Sequence, residues 1–126
     1  MTDHGHFHWN ELVTADPERA KTFYAETIGW SFEGMPMEDG ATYWVAMSGG
    51  KPTAGFFPTN RPGFADVPTG WMPYLAVDDV DARVKKAQSA GATLMRPIFD
   101  IPGVGRIAIL KEPGGAGVGW MTPAKA

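Results

Sequence analysis

The stretch that decides the fold is Asp16-Pro17-Glu18-Arg19-Ala20-Lys21-Thr22-Phe23-Tyr24, closed five residues later by Gly29-Trp30. Asp16 offers a side-chain oxygen to the free backbone N–H groups of a helix start. Pro17 suits the first helical position, and Glu18 complements the positive helix end. Ala20, Phe23, Tyr24 and Ile28 recur at helical spacing and form an apolar stripe. Gly29 supplies the left-handed residue that stops a helix. The spacing therefore predicts a helix from Asp16 to Gly29.

Before the helix, Phe7 to Val13 reads as a strand, with Trp9, Glu11 and Val13 on one face and His8, Asn10 and Leu12 on the other. After it, strands are expected at Trp30–Met35, Ala41–Met47 and Thr53–Phe57, separated by turns rich in Gly and Pro. Pro58 to Gly70 has no periodicity and reads as a linker or covering loop. The pattern then restarts. A strand is expected at Trp71–Val77, and a helix capped by Asp78 or Asp79 with Val80, Val84 and Ala87 on its apolar face and Gly91 at its end. Strands at Thr93–Ile98, Arg106–Leu110 and Gly117–Met121 follow.

From Asp16 to Gly29 is 13 positions, and from Asp78 to Gly91 is also 13. Ala54-Gly55-Phe56-Phe57 resembles Val118-Gly119-Trp120-Met121 near the ends of the two halves. These matches describe an internal duplication; the alternative is two unrelated helices of similar length. The expected fold class is α+β: one domain over residues 1–126, made of two tandem βαβββ modules at about 7–58 and 71–122, joined by a linker at about 59–70. Neither small sheet could bury its open face alone. Side by side they would form a half-open barrel around a cavity.

Composition narrows the function. The chain has 126 residues, 44% hydrophobic and 20% charged, with a formal net charge of −3. That is globular, and it gives no electrostatic footprint for nucleic acid or an anionic membrane. No apolar run approaches the roughly 18–20 residues needed to span a bilayer. The polar start, without a basic and apolar leader, and the absence of cysteine fit a cytoplasmic protein. Disulfides, thiolate nucleophiles and cysteine-ligated zinc are excluded. There is no Gly-rich phosphate loop after a strand, no serine elbow and no closely spaced carboxylate pair.

The helix signature, its second-half counterpart Val77-Asp78 with Ala90-Gly91-Ala92, and Gly105-Arg106 leading to Glu112-Pro113-Gly114-Gly115 together resemble the vicinal oxygen chelate superfamily of glyoxalases, bleomycin resistance proteins and extradiol dioxygenases. The likeness spans nearly the whole chain. The opening Trp9-Asn10-Glu11-Leu12 is similar to the first strand of the single-domain glyoxalase-like branch. The resemblance implies a divalent metal held by four His, Glu or Gln side chains from the first and last strands of each half. Those positions here are Trp9, Gly55, Met72 and Gly119. Trp and Gly carry no suitable ligand atom, and Met is too soft for an oxygen-rich site. No cofactor is therefore expected. The resemblance also implies a homodimer.

Glu11 is the candidate catalytic residue: an inward carboxylate among aromatics could act as general base or acid. Its other reading is a structural ion pair with an internal Arg or Lys. The side chains expected to contact a bound molecule are Trp9, Tyr43, Phe56, Met72, Arg106 and Trp120; the four aromatic ones belong to a set that also holds Trp44, Trp71 and Tyr74. Arg106 could hold a substrate carboxylate or phosphate, or pair with Glu11. His4, His6 and His8 alternate and could bind zinc or nickel, or form a frayed terminus. Three functions follow as expectations: binding of a small apolar or aromatic molecule in the cavity between the modules; a metal-independent lyase or isomerase using Glu11; and a metal-dependent glyoxalase or dioxygenase with other ligands. No nucleic acid or membrane partner is expected.

Overall fold

The structure, a computed structural model, describes residues 4–101 and 103–124. Two compact units emerge: residues 9–72, and residues 73–124 together with 4–8.

Most of β1 (Phe7–Thr14) lies in the first unit and leads into α1 (Pro17–Ile28), then β2 (Ser31–Pro36), β3 (Thr42–Ser48) and β4 (Lys51–Pro58). The helix begins and ends where its sequence says. The Asp16 carboxylate accepts the Arg19 N–H at 3.0 Å. Gly29, at φ 78°, turns its N–H back onto the Tyr24 carbonyl at 3.1 Å. The strand order is β2-β3-β4-β1, with β1 parallel to β4 and the other neighbours antiparallel. Alternation along these strands puts Leu12, Ala46, Ala54 and Phe56 on one face, where Ala20 and Tyr24 of α1 cover them. Phe56 is fully buried there, its ring 5.9 Å from Tyr24, 6.4 Å from Trp30 and 5.1 Å from Phe32. The expected stripe on α1 is narrower than its spacing implied. Phe23 and Ile28 are 54% and 58% exposed, because only Ala20 and Tyr24 point squarely at the sheet.

The segment 59–69 belongs to this unit, and its start is fastened. The Thr59 N–H bonds the Thr14 carbonyl at 2.8 Å. Arg61 lies over the rings of Phe57 and Phe64 at 4.7 and 4.5 Å, pairs with Asp39 and donates through Nε to the Pro58 carbonyl at 2.8 Å. A planar, weakly hydrated guanidinium can satisfy rings and oxygens at once.

The second half of the chain runs β5 (Gly70–Ala76), α2 (Val80–Ser89), β6 (Thr93–Leu94), β7 (Phe99–Ile101), β8 (Gly105–Lys111) and β9 (Gly117–Pro123). The order is β5-β9-β8-β6, with β7 also on β8 and β5 parallel to β9. Val77, Val80, Val84, Ala108 and Leu110 form the core under α2. At the start of the chain, the Gly5 N–H bonds the Ala76 carbonyl at 2.7 Å, and the Ala76 N–H bonds the His6 carbonyl at 2.9 Å.

One open choice is settled here and two expectations are corrected. The cap is Asp79, which accepts the Ala82 N–H at 3.2 Å. Asp78 instead accepts two hydrogen bonds from Arg83, both at 2.9 Å, and the Asp79 N–H at 2.7 Å. The helix then ends with Ala90 as its cap, one residue before Gly91. The strand expected over Thr93–Ile98 ends at Leu94, with the Met95 N–H still bonding the Ile109 carbonyl at 2.8 Å, and strand pairing with β8 resumes at Phe99. Pro97, without an N–H, cannot continue the ladder.

Candidate functional site

In the first unit, the face of the sheet opposite α1 carries Trp9, Glu11, Tyr43, Val45 and Gly55. Glu11 of β1 and Val45 of β3 flank Gly55 of β4 as its register partners. Gly55 has no side chain, and the Tyr43 ring fills the space. A Cβ added at Gly55 would run into the Tyr43 hydroxyl, and even the Tyr43 Cε2 would lie 2.7 Å away. The seated hydroxyl joins a short chain of hydrogen bonds. The Trp9 Nε1–H donates to it at 3.0 Å, and it donates to Glu11 Oε2 at 3.0 Å. Glu11 is 8% exposed. Burial pushes the Tyr43 phenol far above its ordinary range, and the Glu11 charge adds in the same direction. Tyr43 therefore stays a neutral donor, and its one proton fixes the Glu11 carboxylate. A buried, oriented carboxylate beside an indole and a phenol can accept a proton from, or give one to, a bound molecule.

The structure thus brings Trp9, Tyr43 and Glu11 together. Met72 is half-buried in the same unit. The other candidates lie elsewhere. Phe56 follows Gly55 in β4 and so faces α1, where it is core. Trp120 follows Gly119 in β9 and packs against the core under α2. The structure places both on the helix side of the sheet, since neighbouring strand residues point to opposite faces. Arg106 is engaged within the second unit. It clasps Asp81 of α2 through two hydrogen bonds of 2.7 and 3.0 Å and Asp100 of β7 at 2.8 Å. It ties helix to sheet in the second unit, and the pairing holds the Asp81 carboxyl below its usual range.

The second unit repeats the glycine seat. Gly119 of β9 lies beside Tyr74 of β5, and a Cβ at Gly119 would strike the Tyr74 ring, with Cζ at 2.8 Å. The four positions implied for a metal therefore do not suit one. The Trp9 N–H is already donated to Tyr43, Gly55 and Gly119 lie against tyrosine rings, and Met72 is a soft thioether. Among the described residues no three His, Asp or Glu side chains gather as a metal site, the amino-terminal histidines included. His4 accepts the Asp78 N–H through Nδ1 at 3.0 Å.

A hollow of about 660 Å³ opens at the start of α1, lined by Asp16, Trp44, Pro58, Asn60 and Arg61 among others. None of the residues chosen from sequence borders it. Its charged side chains are already engaged: Asp39 with Arg61, Asp16 with the Arg19 N–H and Glu18 with Lys21. Among the described residues no helix is long and apolar enough to cross a membrane.

The comparisons with known proteins agree with the architecture. The chain is 39% identical over 116 residues to a Mycobacterium tuberculosis protein named "Putative glyoxylase CFP32", covering 92% of this chain and 43% of that protein. It is 29% identical over 119 residues to the anthracycline biosynthesis protein DnrV of Streptomyces peucetius, covering 86% of this chain and again 43% of the relative. The chain thus spans less than half the length of the curated relatives it matches. Among solved structures, methylmalonyl-CoA epimerase from Mycobacterium tuberculosis superposes with a TM-score of 0.67 at 17% identity, over 96% of this chain and 89% of that one. Hypothetical protein BH1468 from Bacillus halodurans reaches 0.72 at 10% identity, over 97% and 96%. At such identities the likeness shows the fold alone. The family model that matches, over residues 5–119, completes the assignment: the chain belongs to the Glyoxalase/Bleomycin resistance protein/Dioxygenase superfamily.

Proposed function

We propose that this chain binds a small apolar or aromatic molecule against the Trp9–Tyr43–Glu11 face, without the divalent metal usual in its superfamily. The observation that carries this reading is the hydrogen-bond chain from the Trp9 indole through Tyr43 to Glu11, built over Gly55 at one of the implied metal positions. An indole and a phenol present flat apolar surface with polar edges, which suits a planar ligand bearing a few oxygens. The naming of DnrV and its counterpart DauV for anthracycline biosynthesis favours a polycyclic aromatic ligand.

The test is calorimetric titration with anthraquinone-2-sulfonate, a planar probe of that class. Saturable binding, weakened about tenfold in Trp9→Ala, is expected from the loss of one aromatic contact worth about 1.4 kcal/mol. Absence of saturable binding at millimolar probe, or equal affinity in the variant, refutes the reading.

A second reading is favoured by the burial and fixed orientation of Glu11: a metal-independent lyase or isomerase in which this carboxylate moves the proton. Under it, Glu11→Gln abolishes turnover and leaves ligand binding nearly intact. Unchanged turnover would sink it.

A further inference from the structure

The two glycines at the implied metal positions are equivalent by register. Gly55 sits between Glu11 on its parallel neighbour and Val45 on its antiparallel neighbour. Gly119 sits between Tyr74 and Ile109 in the same relation. Glu11 therefore corresponds to Tyr74, Val45 to Ile109, and Tyr43, two residues before Val45, to Ile107. The tyrosines that fill the two seats are thus not equivalent. In the first unit the ring comes from the antiparallel neighbour β3, and in the second from the parallel neighbour β5.

We infer that Tyr43 and Tyr74 block the implied metal position in the two units from non-equivalent strands, each phenol ring occupying the space that a metal-ligating side chain at residue 55 or 119 would need. Tyrosines inherited through the duplication would stand at matching places, and these do not. Each closure is coupled to its glycine: the ring fits only where residue 55 or 119 lacks a Cβ, and the glycine leaves a void unless the ring is there. A molecule approaching either seat meets a phenol ring and not a ligand for a hard cation. Placing Glu or His at position 55 or 119 alone would collide with the tyrosine before it could restore a site. The inference concerns the chain's own packing and does not depend on the ligand proposed above.

The test is a pair of double-mutant cycles read by urea unfolding of the whole chain. Gly55→Ala should lower the unfolding midpoint sharply in wild type and little in Tyr43→Ala. Gly119→Ala should behave likewise toward Tyr74→Ala, and the crossed pair Gly55→Ala with Tyr74→Ala should be additive. Equal losses in both backgrounds, or free tolerance of alanine at both glycines in wild type, would overturn the inference. Should Gly55→Ala alone fail to fold, a folded Tyr43→Ala/Gly55→Ala double variant supports the coupling, and failure of the double variant contradicts it.

Discussion

Replacing Tyr43 with Phe removes one oxygen and keeps the ring in its seat over Gly55. The hydroxyl accepts the Trp9 N–H and donates to Glu11, both at 3.0 Å. A hydrogen bond to a buried carboxylate contributes about 1.5–3 kcal/mol, and a neutral one about 0.5–1.5 kcal/mol. The variant should therefore lose about 2–4.5 kcal/mol. At about 4 °C per kcal/mol for a chain of this size, Tm should fall by about 8–18 °C. Trp9→Phe removes the neutral bond and some half-buried ring area but leaves the bond to Glu11, and should cost about 4 °C. Scanning calorimetry of both variants at pH 7 makes the comparison. A Tyr43→Phe loss no larger than that of Trp9→Phe would refute the claim that the phenol supports the Glu11 charge.

The same variant has a signature in alkali. The folded-state pKa of Tyr43 is raised above the unfolded value of about 10 by burial and by Glu11. Its contribution to stability is thus fully present below pH about 10 and is lost as pH rises beyond it, because the unfolded chain ionises first. Tyr43→Phe should flatten the alkaline decline in stability, and an unchanged slope would contradict the assignment.

The helix-side core gives a further contrast. Phe56→Ala removes a fully buried ring and should cost about 3–5 kcal/mol in urea unfolding. Phe23→Ser, on a largely exposed ring of the same unit, should stay within about 0.5 kcal/mol. Similar losses would mean that the apolar stripe of α1 is as wide as its spacing implies.

What was legible in the sequence was local. Asp16, Pro17 and Gly29 fix α1 through capping and backbone geometry, and these act within a few residues. The adjacent acids Asp78 and Asp79 were ambiguous because either can cap; Arg83, four and five residues on, claims Asp78 and leaves the cap to its neighbour. That Pro97 could not extend the strand was readable from its missing N–H. The placement of Phe56 and Trp120 was readable too, since a residue next to an inward glycine in a strand faces the other way. The tie between Arg106 and Asp81 was not, for it joins residues 25 positions apart across a helix and a sheet. Nor was the seat of Tyr43 over Gly55. It depends on three strands meeting in one register, and the meaning of that glycine lies in the ring that covers it.

The most direct test of the account is elemental mass spectrometry of tag-free protein in which His4, His6 and His8 are changed to Ala, so that adventitious metal on the amino terminus does not count. The account predicts well under one equivalent of bound divalent metal per chain, with the folded spectrum and probe binding retained. About one equivalent of metal, kept through dialysis, would contradict it.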